Sequence, residues 1–192
     1  MRILVACEYS GTVRDAFIRV GHNAWSCDLL PTDTPGPHFQ EDCLRVIHEN
    51  GPWDLMVAHP PCTHLAVSGA RYFKDKVVQQ QQSLDFVRSL LNAPIDKIAL
   101  ENPVSIISSR IRKPDQIIQP FQFGHPESKK TCLWLKNLPM LTPTNLLKIP
   151  ASGIWSNQTP SGQNNLGPSK DRWKIRSKTY QGIADAMASQ WK

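Results

Sequence analysis

Residues 2–12 are Arg-Ile-Leu-Val-Ala-Cys-Glu-Tyr-Ser-Gly-Thr, an apolar run followed by a turn that contains Ser10-Gly11. A helical stretch follows from Thr12 to Val20, and Gly21 is a favoured residue just after a helix C-terminus. A buried strand followed by a tight turn and a helix is the repeating unit of α/β proteins. The stretch therefore predicts an α/β sheet, and the first turn lies where a doubly wound fold binds its cofactor.

The same alternation continues along the chain. We predict further strands at 24–28, 53–58, 97–101, 117–123 and 131–135, helices at 43–49 and 73–91, and an amphipathic last helix up to Trp191. Residues 139–170 are rich in Pro, Gly, Ser, Asn and Thr, which indicates a long loop. We expect one α/β domain over 1–192, with three layers and a mostly parallel sheet.

Composition narrows the classes of partner and compartment. The chain has 22 Lys and Arg against 16 Asp and Glu, and its net charge of +6 favours a polyanionic partner or an anionic substrate. Its five cysteines contain no CxxC pair, which argues against a disulfide framework and for a reducing cytosol. No signal peptide is evident, and no apolar run approaches the roughly 18 residues of a membrane span. We expect a cytoplasmic protein with no membrane partner.

The chemistry centres on two strand ends that are followed by proline. The apolar run 54–58 leads into His59-Pro60-Pro61-Cys62, and the run 97–101 leads into Glu101-Asn102-Pro103. Proline fixes φ and removes a backbone donor, so we expect both strands to stop and to present Cys62 and Glu101 on loops. Singly, Cys62 is equally a small buried residue and Glu101 a helix N-terminal charge. Together they favour catalysis.

A thiolate and a carboxyl group at one sheet edge suit attack on a conjugated ring carbon while the acid hydrogen-bonds a ring nitrogen. His59 and His64 flank Cys62, but no second Cys/His cluster has metal-ligand spacing, so we expect no metal. No GxSxG motif follows a strand, which excludes a serine hydrolase of that kind.

The first turn and two acids are candidates for a cofactor site. Gly11 permits close approach of the backbone, although an ordinary strand–helix turn has the same sequence character. Asp28 ends the second predicted strand, about 20 residues past the turn, where such folds bind a ribose hydroxyl. Asp42 follows the next loop and suits either a purine amino group or a helix N-cap.

These motifs resemble, in order and over nearly the whole chain, those of the cytosine-C5 DNA methyltransferases, in the compact form often encoded by phages and prophages. Pro61-Cys62 resembles the family's Pro-Cys nucleophile motif, and Glu101-Asn102 resembles its Glu-Asn motif. The segment 124–131 resembles the basic motif that steadies the target base. The segment 178–182 resembles the final motif, which packs beside the cofactor.

The resemblance implies a Rossmann-like S-adenosylmethionine-dependent methyltransferase fold and a mechanism. Cys62 attacks C6 of cytosine, Glu101 holds or protonates N3, and C5 takes the methyl group of S-adenosylmethionine. Lys129 is the cation expected to favour the Cys62 thiolate. The implied cofactor contacts are Glu8, Tyr9, Ser10, Gly11, Thr12, Asp28, Asp42, Pro60 and Tyr180.

The chain departs from the family in three places. The first turn has few small residues, and Lys129 and Thr131 stand where the family usually has two arginines. The large target-recognition domain is replaced by the loop-rich region 138–176. A basic run at 170–178 could clamp phosphates while Trp173 stacks on a base, or it is a solvated loop with Trp173 in the core. The expected nucleic-acid contacts are Ser68, Arg71, Lys130, Lys170, Arg172, Trp173, Lys174 and Arg176.

The expected partner is DNA, either duplex with the base flipped out of the stack or single-stranded. A chain of this size has little room for direct sequence readout, so a homodimer or another partner would supply specificity. Two alternatives stay open at this point. One is the same chemistry on a free cytidine nucleotide, single-stranded DNA or RNA, and the other is a catalytically silent protein that binds nucleic acid or S-adenosylmethionine.

Overall fold

A computed structural model describes the backbone of residues 1–192 and the side chains of all but 70–72. The strands are β1 (Arg2–Ala6), β2 (Asn23–Asp28), β3 (His38–Gln40), β4 (Leu55–Ala58), β5 (Lys97–Pro103), β6 (Gln116–Ile118) and β7 (Thr131–Lys136). The α-helices are α1 (Thr12–Arg19), α2 (Cys43–Glu49), α3 (Val77–Leu91), α4 (Ile107–Arg110), α5 (Arg172–Ser177) and α6 (Gln181–Gln190). Two 3-10 helices span Val67–Lys76 and Pro120–Gln122.

The seven strands form one sheet in the order β3-β2-β1-β4-β5-β7-β6. The first five strands in this order pair in parallel, and β7 runs antiparallel to both of its neighbours. The mostly parallel α/β sheet expected from the sequence is therefore confirmed. Because β1, β4 and β5 run the same way side by side, their carboxyl ends meet at one edge.

Helices cover both faces of the sheet, as the apolar strand sequences require. Ile3 and Val5 of β1 pack in a core with residues of α1 and α6, whereas Leu4 and Ala6 pack in a core with residues of α2 and α3. Alternate side chains of a strand point to opposite faces, so a strand that is apolar at every position is buried on both. Each fully buried Ile or Leu contributes about 1.5–3 kcal/mol relative to exposure. The three predicted layers are confirmed.

Three of the differences from the sequence prediction exceed two residues. Residues 38–40, where no strand is predicted, form the short edge strand β3 through pairing with β2. The strand predicted at 117–123 ends at Ile118, because Pro120 begins a 3-10 helix. The helix predicted from residue 73 is α-helical only from Val77 and is preceded by a 3-10 helix.

The prediction that proline stops the strand 97–101 at Glu101 is wrong. β5 continues through Pro103, which pairs with Thr131 of β7. On its other side β4 ends at Ala58, opposite Leu100, so nothing there needs the backbone N–H that proline lacks. Glu101 therefore lies within a strand and not on a loop.

The segment 137–171 contains none of the named helices and strands, in line with the predicted loop. Trp155 within it is buried and stacks on Phe121, with ring centroids 4.9 Å apart. The basic run that follows differs from the prediction, since its residues 172–177 form α5. No helix in the described part of the chain has the length and apolar character needed to cross a bilayer.

Candidate active site

The loop that carries Cys62 begins directly after β4. The backbone N–H of His59 still donates to the carbonyl of Ala6 (2.9 Å), which extends the β1–β4 pairing by one residue. Past the two prolines, the Cys62 carbonyl accepts hydrogen bonds from the N–H groups of residues 65 and 66 (3.0 and 2.9 Å), which closes the loop in a tight turn. Cys62 is exposed, whereas the other four cysteines are buried or half-buried. The loop therefore presents a single accessible thiol.

Asn102 fixes this loop to β5. Its side-chain amide donates a 2.8 Å hydrogen bond to the carbonyl of Pro60, and both residues are buried. Pro60, expected to contact the cofactor, therefore has its carbonyl engaged within the protein. A buried carbonyl requires such a partner, so the bond holds the Cys62 loop at a set distance from Glu101.

Glu101 lies beside His59 because β4 and β5 are paired in register. Ala58 is opposite Leu100, so the next residue of each strand meets the other, and His59 Nδ1 lies 3.1 Å from Glu101 Oε2. Burial raises the pKa of Glu101, but the hydrogen bond and charge of His59, together with Lys129, outweigh it and leave that pKa below its ordinary value. Glu101 is therefore a carboxylate at neutral pH in the free protein.

The structure brings the three predicted catalytic residues together. Desolvation and the Glu101 carboxylate raise the pKa of the Cys62 thiol, while the charges of Lys129 and Arg176 lower it, and the net shift is upward. Lys129 Nζ donates a 2.8 Å hydrogen bond to the carbonyl of Arg176 and lies 5.7 Å from the ring centroid of Tyr180. One lysine charge thus acts on both the thiol and the carboxylate.

In the turn between β1 and α1, the side chain of Glu8 binds the start of α1. The carboxylate of Glu8 accepts hydrogen bonds from the backbone N–H groups of Val13 (2.7 Å) and Arg14 (3.2 Å) at the start of α1, and from the Ser10 hydroxyl (3.2 Å). Burial raises the pKa of Glu8, partly offset by the charge of His59 and by these bonds. The N–H groups at the start of α1 are therefore capped from within the protein.

Gly11 serves the packing of the loop that follows β2. Its φ is 75°, and a Cβ there would lie 2.3 Å from Thr34 Oγ1 and 2.4 Å from Arg14 Nη2. Arg14 is fully buried and donates to the hydroxyls of Ser26 and Thr32 and to the carbonyl of Thr34. Sequence reasoning missed Arg14, although an arginine among the core-facing positions of α1 is the kind of residue that needs buried partners.

The two acids of the candidate cofactor site lie at the carboxyl edge. Asp28 ends β2 and Asp42 caps α2, and each accepts a 2.9 Å hydrogen bond from the backbone N–H two residues on. The pKa of the Cys7 thiol is raised by its contact with Cys43 (Sγ–Sγ 3.8 Å), by burial and by the charge of Asp28. Leu29, next to Asp28, is 72% exposed. The N-cap role considered for Asp42 is thus present.

Tyr9 joins the turn to α5. Its hydroxyl donates to the carbonyl of Lys174 (3.1 Å) and lies 2.8 Å from the Ser177 hydroxyl. Its ring centroid is 5.9 Å from that of Trp173. Trp173 is 51% exposed, so the alternative that placed this residue in the core is wrong.

The expected nucleic-acid contacts fall into two groups. Ser68 is exposed on the 3-10 helix after the Cys62 loop, and Lys130 is exposed next to Lys129, whereas the side chain of Arg71 lies outside the described residues. The others are on or just before α5, where Lys170, Trp173 and Arg176 are exposed and Arg172 and Lys174 are half-buried. The Lys129–Arg176 hydrogen bond connects this helix to the Cys62 site.

The final motif packs on the basic motif. The Tyr180 hydroxyl donates to the carboxylate of Glu127, and its ring centroid lies 5.1 Å from that of His125. Burial and the Glu127 carboxylate raise the pKa of Tyr180. Gly182 donates its N–H to His125 Nε2 (2.9 Å), and a Cβ on Gly182 would lie only 2.0 Å from the carbonyl oxygen of Phe123. The motif therefore depends on a glycine at this position.

No protein-family model matches the chain, and no curated protein matches it. Among 58 matching chains of solved structures is an E. coli protein encoded within a prophage and assigned as a DNA modification methyltransferase. The TM-score is 0.50 at 13% sequence identity, and the match covers 80% of this chain and 53% of the other. The chain thus spans about half the length of that protein. The similarity confirms the predicted Rossmann-like α/β fold.

Proposed function

We propose that the protein is an S-adenosylmethionine-dependent methyltransferase that modifies C5 of cytosine in DNA through a covalent adduct with Cys62. The observation that carries the proposal is that an exposed thiol on the loop after β4 and a largely buried carboxylate on the adjacent parallel strand β5 share one edge of the sheet, with Lys129 acting electrostatically on both. The fold shared with a protein assigned as a DNA modification methyltransferase supports it.

The residues account for activation of the ring. The Cys62 thiolate adds to C6, the electrons of the C5–C6 double bond move through the ring to N3, and N3 takes a proton presented by Glu101. C5 becomes nucleophilic as a result. Once C5 has taken the methyl group, the C5 proton is lost to water, N3 returns its proton to Glu101, and departure of the Cys62 thiolate restores the aromatic ring. Because the pKa of Cys62 is raised in the free protein, Lys129 and Arg176 are needed to favour the thiolate.

The donor set at the carboxyl edge fits the adenosine part of S-adenosylmethionine. One oxygen of Asp28 and one of Asp42 accept backbone hydrogen bonds, and no hydrogen bond within the described part of the chain engages the second oxygen of either. These carboxylates would accept hydrogen bonds from ribose hydroxyls and the adenine amino group, and exposed Leu29 offers apolar contact. When bound, S-adenosylmethionine supplies the electrophilic methyl group for C5.

The basic helix α5 is the proposed contact to DNA. Arg172, Lys174 and Arg176 give it three positive charges, and Trp173 exposes half of its surface beside them. Cations of this kind neutralise phosphates, and an exposed aromatic ring stacks on unpaired bases. A base flipped out of a duplex and a base in single-stranded DNA are both unpaired, so either would be available to stack on Trp173.

Covalent trapping tests the proposal. Oligonucleotides that carry 5-fluorocytosine block loss of the C5 substituent, so incubation with S-adenosylmethionine should leave a stable protein–DNA adduct, detected by mass spectrometry. The Cys62→Ser variant should form none, whereas Cys132→Ala, which removes a buried thiol on β7, should retain it. No adduct on duplex or single-stranded DNA would refute the proposal.

A second candidate is the same chemistry on RNA or a free cytidine nucleotide. It is favoured by the segment 137–171, which forms none of the named helices and strands where the family resemblance implies a recognition domain. An adduct on 5-fluorocytosine RNA or nucleotide, with none on DNA, would establish this candidate in place of the first.

A further inference from the structure

His59 occupies the position between the cofactor turn and the proposed catalytic acid. It directly follows β4, its backbone N–H bonds to Ala6 of β1, and its imidazole Nδ1 lies 3.1 Å from Glu101 Oε2. Only 10% of the His59 side chain and 15% of the Glu101 side chain are exposed. The contact follows from the register of β4 and β5 and from the backbone hydrogen bond of His59 to β1.

Charged and titratable groups surround this pair from several elements. Glu8, from the turn after β1, faces His59 closely enough for the His59 charge to lower its pKa. Lys129, from the loop before β7, lowers the pKa of Glu101, while the Glu101 charge raises the pKa of Cys62 and that of Cys132 on β7. The Glu8 carboxylate is already engaged with the start of α1. Glu101 is thus the carboxylate to which His59 is hydrogen-bonded.

We propose that His59 is a positioning residue that orients the Glu101 carboxylate and holds the proton that Glu101 presents to N3 of cytosine. This inference rests on the proposed function. The proton passes from Nδ1 of the His59 imidazolium to the carboxylate as the thiolate adds to C6, which leaves a neutral imidazole, and from the resulting carboxyl group to N3. It returns by the same path when the thiolate leaves, so the pair ends the cycle with the proton on His59.

The substitution His59→Asn distinguishes the orientation of Glu101 by His59 from the storage of a proton on His59. His59→Asn retains a side-chain N–H for Glu101 Oε2 but stores no proton, and it removes the charge that lowers the pKa of Glu101. In this variant Glu101 itself must be protonated, which becomes rarer as the pH rises above its pKa. We expect adduct formation to fall about 100-fold at pH 8, the range of general acid catalysis, and only a few-fold at pH 5. The KM for S-adenosylmethionine should not change.

The experiment measures the rate of adduct formation on 5-fluorocytosine DNA from pH 5 to 9 for the unmodified protein, His59→Asn and His59→Gln. His48→Asn, which changes an exposed histidine of α2, is the matched control. Thermal unfolding verifies that each variant is folded, and Gln replaces Asn if the latter is not. A profile that keeps its shape and is only scaled down would overturn the inference, because loss of packing alone lowers the rate equally at every pH.

A second readout does not depend on activity. The ¹³C resonance of the Glu101 carboxyl group, assigned by its loss in Glu101→Gln, is titrated in the free protein with and without His59. We expect the midpoint to move to higher pH in His59→Asn. An unchanged midpoint would overturn the role of His59. A shifted midpoint in a protein that traps no cytosine substrate would refute the proposed function and leave the His59–Glu101 coupling standing.

Discussion

The side-chain amide of Asn102 donates a 2.8 Å hydrogen bond to the backbone carbonyl of Pro60. This bond joins the end of β5 to the loop that carries Cys62, and it does so one residue away from Glu101. The same hydrogen bond therefore positions both the Cys62 thiol and the Glu101 carboxylate. A proline loop is stiff in itself, but its direction relative to the neighbouring strand depends on this contact.

Replacing Asn102 with Leu should both destabilise the protein and displace Cys62. The substitution leaves the buried Pro60 carbonyl without a donor, which costs about 1–3 kcal/mol of unfolding free energy. We expect a lower urea midpoint and slower formation of the Cys62 adduct. Asn92→Leu is the control, since Asn92 is exposed after α3. Unchanged stability together with unchanged Cys62 reactivity would show that the bond does not hold the loop.

Gly182→Ala should be strongly destabilising. Its new Cβ would lie 2.0 Å from the Phe123 carbonyl oxygen, and backbone atoms on both sides cannot move aside cheaply. We expect a loss of about 3 kcal/mol, at the upper end for overpacking, measured by chemical denaturation. Gly167→Ala, where a Cβ has no neighbour within 4 Å, should stay close to the unmodified protein. Equal stability of the two variants would contradict this account.

Local patterns allowed much of the fold to be predicted. The strand 2–6 and the helix 43–49 have the predicted bounds, because apolar runs and helical periodicity are local properties of the sequence. β3 was missed because its three residues carry no such pattern and become a strand only by pairing with β2. Pro103 is part of β5 for a similar reason, since the absence of a neighbour on one side is a property of the sheet.

The sequence predicts which residues of the candidate site lie at the same sheet edge, because that follows from the order and direction of the strands. It does not predict contacts that depend on the exact alignment of neighbouring strands. Parallel strands bring Cys62 and Glu101 to one edge whatever their exact alignment. The His59–Glu101 contact requires Ala58 to lie opposite Leu100, which the sequence does not specify. The inward turn of Glu8 onto α1 was also missed, since the same carboxylate suits a ligand or a helix N-terminus equally well.

Lys129→Gln should slow alkylation of Cys62 by iodoacetamide. The thiolate is the reactive form, and removing a cation that lowers the pKa of Cys62 decreases the thiolate fraction at neutral pH. We expect a rate about threefold lower or less at pH 7 and a pH–rate midpoint displaced to higher pH. Glu101→Gln removes a charge of opposite sign and should displace the midpoint to lower pH.

Lys130→Gln is the control for this measurement, because it removes the same charge from the adjacent, exposed residue in a reaction without nucleic acid. Cys62 is the exposed thiol of the chain, so alkylation followed by peptide mass spectrometry reports on it directly. Displacement in the same direction by Lys129→Gln and Glu101→Gln would be incompatible with the electrostatics described above.

Trp173→Ala should weaken nucleic-acid binding with little effect on stability. Half of the Trp173 side chain is exposed, so its removal should change the unfolding free energy by no more than about 0.5–1 kcal/mol. Loss of stacking on an unpaired base should cost about 1–3 kcal/mol of binding free energy, which Trp173→Phe should largely restore.

Arg172→Gln should instead reduce the slope of log K against log salt by about 1, because it removes the proposed phosphate contact. Fluorescence anisotropy with single-stranded DNA over a salt series measures both effects. If Trp173→Ala lowered the unfolding midpoint and left binding unchanged, the ring would serve to pack α5 on Tyr9 and not to contact a base.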